Sequence, residues 1–504
     1  MIFTRDQVHA DVPDGCDFVV VGSGAAGATA ARVLTERGLD VVLVEEGPPI
    51  DRTVTAKGVF PTFTHYVRDA ASQAALGRSF IPILQGRCVG GSTAINSAIC
   101  WRTPEDAYDR CFRKHGLEKA VPIDALDRAF GRIEEELHIT EVRDEILGRN
   151  SWLMREAGRL AGLEGRMIPR NERDCEGSGN CLLACPTNRK QSTDQTYIPM
   201  SLAKGARLYA TCRADRVTTR GDRADGLDGT FLDEYGRKGP RLRVEARRGV
   251  IVAGSAIHSC QLLQRSRLGN RRQVGAHFQA HPGTAMVGVF DSPVRPWSGA
   301  TQGYEIDHYR KERMKLETIG LQPELAGVRL PYVGRELMSA LADYGHVAIW
   351  AVLCRANAEG SVGHLGPFGT RITYTPLPED VEVIRRGLKL TGELMFSVGA
   401  KAVLPGIFGV PARITSPDGL KAIDDATLDP RAYHLIATHL FGPTRMSVDA
   451  RGGVVGPDFQ VHGVPGLYVV DSSVFPTNLG VNPQHTIMGV AWVASERMAT
   501  EAGR

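Results

Sequence analysis

Residues 17–27 have the sequence Asp-Phe-Val-Val-Val-Gly-Ser-Gly-Ala-Ala-Gly, in which an apolar run leads into the pattern G-x-G-x-x-G. The β-branched and aromatic residues of the run predict a buried parallel strand. The alanine-rich residues 28–37 predict a helix that ends at Gly38, and residues 41–44 predict a second strand that leads to Glu45. This order of elements predicts an α/β fold with a Rossmann-like domain.

Each part of this unit has a task in binding a dinucleotide. Gly22 permits the tight turn, Gly24 lets the backbone approach a pyrophosphate, and Gly27 lets the helix pack closely on the strand. The helix N-terminus offers free N–H groups to the phosphates. Glu45 follows Gly27 by 18 residues, where a carboxylate can accept hydrogen bonds from ribose hydroxyls. A glycine-rich turn without a nucleotide is the alternative, and the unit by itself does not separate FAD from NAD.

Composition and charge narrow the classes of protein. The chain has 504 residues, 42% of them hydrophobic, which is enough for two or more cores. A formal net charge of +3 gives no reason to expect nucleic acid or an anionic membrane surface as a partner. No apolar run approaches the ~20 residues of a membrane span. Residues 1–17 lack the pattern of a secretory signal, so we expect a cytoplasmic protein with its ten cysteines reduced.

Three later segments add to the first unit. Residues 85–97, with the sequence QGRCVGGSTAINS, form a second glycine-rich turn suited to backbone contact with a pyrophosphate. Residues 249–263 predict a strand, an Ala-Gly turn and a helix. Residues 466–476 predict a strand and a turn, and residues 482–487, with the sequence NPQHTI, predict the start of a last helix.

These motifs resemble those of the glucose–methanol–choline oxidoreductases and occur in the same order. The resemblance extends from about residue 17 to residue 498. The second turn resembles that family's GGSSxxN signature. The resemblance implies FAD as the cofactor and an alcohol as the small-molecule substrate. Some family members attach FAD covalently through a histidine at the position of Ile95, so we expect non-covalent FAD here. The residues that the motifs assign to the cofactor are Gly22, Ser23, Gly24, Ala26, Gly27, Glu45, Glu46, Gly90, Gly91, Ser92, Asn96, Val217, Ala253, Gly254, Asp471, Pro483 and Thr486.

The resemblance also implies a discontinuous domain organisation. Residues 1–284 would form the FAD-binding domain, with an inserted cysteine-containing loop at about 171–199. Residues 285–435 would form an α+β substrate-binding domain on an antiparallel sheet. Residues 436–504 would return to the FAD domain and carry the catalytic pair. Within the substrate domain, residues 380–399 have helical spacing of apolar side chains, and the preceding residues 371–375 alternate as in a half-buried strand.

Oxidation of an alcohol by hydride removal needs a general base, and histidine has a suitable pKa. His439 lies in HLFGPTRM, which resembles the family motif H-x-x-G-T-C-R-M, and is the predicted base. Asn482 matches the second catalytic position, where its amide would hold the substrate oxygen. Asn482 could instead cap the last helix, and His485, three residues away, is a competitor for the second position.

Three cysteines, Cys175, Cys181 and Cys185, lie close together in the sequence. A zinc or iron–sulfur site needs a fourth ligand and a closer spacing of the cysteines in the sequence, so no metal is expected. The stretch resembles a C-x-x-x-C-P loop of a flavoprotein subgroup. The sequence leaves open whether these cysteines are free thiols or form a disulfide.

The leading hypothesis is an alcohol oxidase or dehydrogenase whose electron acceptor is oxygen, a quinone or another carrier. A FAD-containing lyase on the same scaffold is the alternative. A non-catalytic FAD-binding protein is disfavoured because His439 and Asn482 are both present. Neither the alcohol nor the acceptor follows from the sequence.

Overall fold

The computed structural model describes residues 1–366 and 369–503. The strands are β1 (Ile2–Phe3), β2 (Val12–Val21), β3 (Val41–Val44), β4 (Ala74–Leu76), β5 (Phe80–Pro82), β6 (Ile139–Glu141), β7 (Gly165–Met167), β8 (Pro169–Asn171), β9 (Arg207–Tyr209), β10 (Cys212–Arg220), β11 (Arg223–Leu232), β12 (Lys238–Val252), β13 (Gln279–Val289), β14 (Tyr304–Ile306), β15 (Met314–Thr318), β16 (Val347–Cys354), β17 (Ser361–His364), β18 (Thr370–Thr373), β19 (Ala402–Leu404), β20 (Ile436–Phe441) and β21 (Leu467–Val469). The helices are α1 (Ala25–Glu36), α2 (Arg52–Thr55), α3 (Val59–Tyr66), α4 (Ser92–Ile95), α5 (Glu105–Cys111), α6 (Ile123–Glu136), α7 (Gly148–Ala161), α8 (Tyr197–Ala203), α9 (Ser255–Ser266), α10 (Pro323–Gly327), α11 (Gly334–Ala342), α12 (Pro378–Ser397), α13 (Lys421–Asp424) and α14 (Gln484–Ala502).

The first sheet confirms the Rossmann-like prediction. Its strand order is β1-β9-β3-β2-β12-β11-β10, and β21 pairs with the last residues of β12. The pairs β2–β3, β3–β9 and β2–β12 are parallel, whereas β12–β11 and β11–β10 are antiparallel. The parallel strands β2 and β3 are covered by helix α1, on which α8 and α14 pack in turn. This arrangement brings the carboxyl ends of β2, β12 and β21 together.

The first helix begins earlier than the sequence predicts. The alanine-rich pattern predicts a start at residue 28, but α1 begins at Ala25, directly after Gly24. Small alanine and glycine side chains in its first turn allow the helix to start against the strand. It ends as predicted, with Gly38 at a φ of +76°. The free N–H groups of its first turn therefore belong to the glycine pattern itself.

The second sheet is antiparallel, as predicted for the substrate-binding part. Its order is β19-β13-β16-β15-β14-β7, and β20 pairs with β13. It includes β7 and β20, which lie outside residues 285–435, and those domain bounds remain a prediction. The predicted helix 380–399 is α12, whose Ile384, Leu388 and Met395 are buried as expected. The predicted strand 371–375 is β18, in a small sheet with β17, β4 and β5.

Among residues 1–366 and 369–503, no helix combines the length and apolar character that crossing a membrane requires.

Candidate active site

A cavity of about 1770 Å³ lies where the two large sheets meet. One side is formed by the carboxyl ends of β2, β12 and β21, the edge at which open α/β sheets bind ligands. The other side is formed by residues of β13, β15, β16 and β20. The predicted site residues that line it are Gly22, Gly24, Ala26, Glu45, Glu46, Gly91, Ser92, Asn96, Ala253, Gly254, Asp471, Pro483, His439 and Asn482. Ser23, Gly27, Gly90, Val217 and Thr486 are not among the lining residues.

The two glycine-rich turns touch each other at the cavity wall. A Cβ on Gly91 would lie 2.9 Å from the Cα of Gly24, so this close approach requires glycine. A side chain on Gly27 would collide with the carbonyl of Gly22 and so hold helix α1 away from strand β2. Bare backbone facing a cavity beside a helix N-terminus fits a pyrophosphate. The residues present therefore fit a dinucleotide such as FAD.

Ser23 joins these turns to the acidic residue at the end of β3. Its backbone N–H and its hydroxyl both donate to Glu45 Oε2, at 3.0 and 2.7 Å. The same hydroxyl accepts from the N–H of Gly90 at 3.0 Å. Ser23 is fully buried, which explains why it supports the site without lining the cavity.

Glu45 lines the cavity and is held in place by protein donors. Besides the two bonds from Ser23, its Oε1 accepts the N–H of Gly47 at 2.8 Å. A carboxylate has about four acceptor positions, so one remains for a ribose hydroxyl. Burial raises the pKa of Glu45, and the three hydrogen bonds oppose that effect. Its neighbour Glu46 instead pairs with Arg68 at 2.8 Å.

Val217 does not reach the cavity. It lies on β10, where its N–H donates to Ser266 Oγ at 2.9 Å. Arg213 and Ala214, earlier on the same strand, are the residues that line the cavity. Thr486 lies in the first turn of α14 and bonds to Thr103 at 2.8 Å. Neither Val217 nor Thr486 is among the residues that line the cavity.

His439 lies on β20 and is partly buried at the cavity wall. Its Nδ1 lies 3.2 Å from Nδ1 of His281, a buried residue on the paired strand β13. Nε2 of His281 contacts the N–H of Gly480 at 2.9 Å and Oδ1 of Asn478 at 3.2 Å. Burial lowers the pKa of His439 to about 4; nearby Lys315 adds to this effect and Glu317 opposes it. His439 is therefore neutral at pH 7, and its Nε2 is the nitrogen left for the cavity.

Asn482 faces the same cavity and is bound from behind by a lysine. Nζ of Lys315 donates to Asn482 Oδ1 at 2.5 Å. Because an ammonium group has donors only, the carbonyl oxygen of the amide must face Lys315. The NH₂ group of Asn482 is therefore the part available as a donor toward the cavity.

Lys315 is at the centre of a buried charged cluster. Its Nζ also pairs with Glu305 Oε2 at 2.7 Å and with Glu317 Oε2 at 2.9 Å. Trp101 donates to the same oxygen of Glu305 at 2.9 Å. The Lys315 side chain is 3% exposed, so these charges interact with little screening by solvent. Burial raises the pKa of Glu317, but the positive charge of Lys315 outweighs it and holds the pKa below its usual value.

Sequence reasoning missed this cluster and His281. The signal in the sequence was present in β15, where Lys315 and Glu317 alternate with apolar residues and so share one face of a buried strand. His281 lies in a segment that resembles a family motif, but its contact with His439 depends on the pairing of β13 with β20.

His485 lies away from the cavity. It is fully buried, its ring centroid lies 4.5 Å from that of Phe130 on α6, and it is not among the lining residues. Asn482 precedes α14, whereas His485 is inside it, so the two side chains do not share a helix face. The structure brings Asn482, and not His485, to the cavity wall that carries His439.

The cysteine loop lies beside the second glycine turn. Cys175, Cys181 and Cys185 are free thiols, and no group of metal ligands occurs in the described part of the chain. Arg170 donates to Cys181 Sγ at 3.1 Å, and Lys190 donates to the carbonyls of Ala94 and Asn96 at 2.6 and 2.9 Å. Burial raises the pKa of Cys181, but the charges of Arg170 and Lys190 lower it below its usual value. The loop thus holds the backbone of the glycine turn in place.

Comparison with known proteins gives consistent results. Models of the N-terminal and C-terminal parts of GMC oxidoreductases match residues 16–283 and 361–491. An uncharacterised GMC-type oxidoreductase of Mycobacterium tuberculosis is 33% identical, with 98% of this chain and 78% of the relative covered. A long-chain-alcohol oxidase of Arabidopsis thaliana is 26% identical, with 98% of this chain and 68% of the relative covered. The structure of a formate oxidase from Aspergillus oryzae is similar in fold, with a TM-score of 0.72 at 17% identity over 98% of this chain and all of the other.

Proposed function

Because the chain belongs to the GMC oxidoreductases, a family of FAD-dependent flavoproteins, we propose that it oxidises the alcohol group of an apolar substrate to an aldehyde or ketone. The observation that carries the proposal is the pair His439 and Asn482 on one wall of the cavity. The two glycine turns and Glu45 would hold FAD, which would supply the hydride acceptor for this chemistry. Side chains of the protein carry out the two remaining tasks, which are removal of the hydroxyl proton and positioning of the substrate oxygen.

His439 is the general base. Its neutral Nε2 takes the hydroxyl proton of the substrate as the hydride leaves the carbon. For this, its own proton must be on Nδ1, where it is donated to Nδ1 of His281. His281 then donates its Nε2–H to Asn478 Oδ1. The N–H of Gly480 donates to Nε2 of His281 and favours the opposite arrangement, so His281 must give up this contact when His439 acts as the base.

Asn482 positions the substrate oxygen. Its NH₂ group donates to that oxygen and stabilises the negative charge that develops when the proton moves to His439. Lys315 fixes the direction of the amide through the bond to Oδ1. Glu305 and Glu317 neutralise Lys315, so the ammonium group serves to hold Asn482 rather than to bind an anion.

The cavity wall beyond this pair indicates an apolar substrate. Its aliphatic lining is Ile319, Leu321, Leu325, Ile349, Leu353 and Ile436. Burial of methylene groups against such a wall contributes about 0.8 kcal/mol for each group. The name of the Arabidopsis relative, a long-chain-alcohol oxidase, supports the same class of substrate.

FAD is bound without a covalent bond in this proposal. Ile95 lines the cavity at the position from which some family members form the bond, and its side chain has no nucleophile. Acid precipitation of the holoenzyme should therefore release the yellow chromophore into the supernatant. Colour retained in the pellet would contradict this part of the proposal.

The test of the function is anaerobic mixing of the holoenzyme with primary alcohols of increasing chain length. Bleaching of the oxidised flavin band, with a rate that rises with chain length, is the expected result. Reoxidation by air or by a quinone dye then identifies the class of acceptor. Product without bleaching would indicate a lyase, and the absence of both bleaching and product across the series would refute the proposal.

A further inference from the structure

An arginine lies at the outer end of the apolar wall. Arg329 follows α10 and lines the cavity beside Val328, which is 83% exposed and marks the mouth. Its Nη2 donates to the carbonyl of Ala285 and, at 3.0 Å, to that of Pro405. Its Nη1 lies 3.3 Å from Nδ1 of His434.

The charge of Arg329 is not matched by the protein. No carboxylate of the described residues lies within 4 Å of its guanidinium group, and its Nε is buried without a hydrogen-bond partner. Burial alone lowers the pKa of Arg329 to about 10, so the group is still protonated at neutral pH. Among the other arginines that line the cavity, Arg68, Arg78, Arg213 and Arg431 each pair with a carboxylate at 3.0 Å or less, whereas Arg265 binds the carbonyls of Asp215 and Ala214 at 3.1 and 3.0 Å. A partly buried cation without an acidic partner suits an anionic group of a ligand.

The strand β13 gives the distance from Arg329 to the catalytic pair. Arg329 binds the carbonyl of Ala285, and His281, which contacts His439, lies four residues earlier on the same strand. At about 3.3 Å a residue, the separation is ~13 Å. The lining between the two points is mostly apolar: Gly283 of β13 is opposite Leu353 on one side and Ile436 on the other, and Thr284 adds one hydroxyl group.

This spacing defines a length of substrate. One residue of an extended polypeptide has three backbone bonds and spans about 3.6 Å, which is ~1.2 Å a bond. An extended carbon chain has a similar length for each bond, so ~13 Å corresponds to roughly ten to twelve carbon atoms in a row. Such a chain would place a hydroxyl group at His439, its methylene groups along the apolar wall, and its other end at Arg329.

We propose that Arg329 binds the carboxylate of the substrate, and that the substrate class is an ω-hydroxy acid of roughly ten to twelve carbons. The proposal rests on the function proposed above. In the reaction, the terminal carbon loses a hydride to FAD and the hydroxyl loses its proton to His439, which gives the ω-oxo acid. The carboxylate is unchanged and stays bound to Arg329.

The experiment separates this subsite from catalysis by measuring binding as well as reduction. The holoenzyme is titrated with dodecanoate and, separately, with its methyl ester, and binding is followed by the change in flavin absorbance. Flavin reduction is then measured with 12-hydroxydodecanoate, its methyl ester and 1-dodecanol. The carboxylate ligands should bind about 10- to 100-fold more tightly than the esters, the value of a charge-assisted hydrogen bond.

Two variants and a matched control complete the test. Arg329→Gln should weaken the binding of dodecanoate about 10- to 100-fold and raise KM for the hydroxy acid by the same factor, with little effect on the esters and on the limiting rate of reduction. Arg329→Lys, which keeps the charge, should retain most of the preference. Arg431→Gln removes an arginine from the same cavity that already pairs with Asp429, and should leave the preference unchanged.

The outcomes distinguish the two proposals. Equal affinity for acid and ester in the unaltered enzyme, or an equal loss of affinity for both in Arg329→Gln, would overturn the carboxylate subsite. Reduction of the flavin by 1-dodecanol in the same experiment would still uphold the proposed function. If no alcohol reduces the flavin, the proposed function and the substrate assignment are both wrong, whether or not dodecanoate binds.

Discussion

Replacing Lys315 by methionine tests the buried cluster behind Asn482. Methionine has a similar apolar stem but no charge, so the change leaves Glu317 buried without its cation and leaves Glu305 paired only with Arg166, at 3.1 Å. Removing one partner of a buried ion pair costs about 3–5 kcal/mol. For a protein of this size such a loss should lower the Tm by roughly 5 °C. The amide of Asn482 also loses the contact that orients it, so flavin reduction should slow by up to about 10²-fold.

The destabilisation should depend on pH with a definite sign. In the unaltered protein Lys315 holds the pKa of Glu317 low, so this contribution to stability is present above the unfolded value of about 4.3 and is lost as the pH falls. In Lys315→Met, burial raises the pKa of that carboxyl, and the folded state then binds the extra proton. The variant should therefore lose least stability near about pH 5 and most near about pH 8.

The assay is thermal unfolding of the FAD-loaded enzyme at about pH 5 and pH 8, with stopped-flow reduction on the same samples. The control is the triple variant Lys315→Met, Glu305→Gln, Glu317→Gln, which removes the cluster's charge and should recover most of the Tm but not the reduction rate. A single variant as stable as the unaltered enzyme at pH 8 would refute the reasoning on stability. Full reduction activity in the triple variant would refute the role of Lys315 in orienting Asn482.

Three further predictions concern the base and the cofactor. His439→Ala should slow flavin reduction about 10²–10⁴-fold with FAD content unchanged, whereas His485→Ala, which alters a residue packed on Phe130, should leave the stopped-flow rate within about twofold. Glu45→Ala should weaken FAD binding by about 1.5–3 kcal/mol in a fluorescence titration, because Ser23 also loses its acceptor; an unchanged Kd would exclude Glu45 as a ribose ligand. Burial lowers the pKa of His439 to about 4. The rate of flavin reduction should therefore be constant from about pH 6 to 8 and fall as the pH drops through about 4. A midpoint of the rate profile near about pH 6.5 would contradict the burial argument.

The parts of the site that a local pattern determines could be predicted from the sequence. The turn around Gly22 and Gly24 is set by residues that are neighbours in the chain, and the structure places both at the cavity. The predicted start of α1 lies three residues late, because the sequence does not show that the glycine pattern itself becomes the first turn. The choice between Asn482 and His485 depends on where α14 begins, a boundary that spacing alone leaves open.

The contacts of the cluster could not be predicted in the same way. Lys315 and Asn482 are 167 residues apart, and their bond exists only because β15 and the segment before α14 meet at the cavity. The alternation in β15 indicates that Lys315 and Glu317 share one face of the strand, but exposed lysines alternate in the same way, so the pattern does not show that this lysine is buried. The same holds for His281, whose partner is 158 residues away.

The composition of the second sheet bears on how substrate preference could be transferred between relatives. An exchange of residues 285–435 alone would cut β13 within its span of Gln279–Val289, and would leave β20 and β7 of the recipient to pair with strands of the donor. Chimaeras are better joined before β13 and after β20, with β7 exchanged as well. Such a transplant would carry His281, His439 and the lysine cluster as one unit, and would leave Asn482 as the recipient's contribution to the junction.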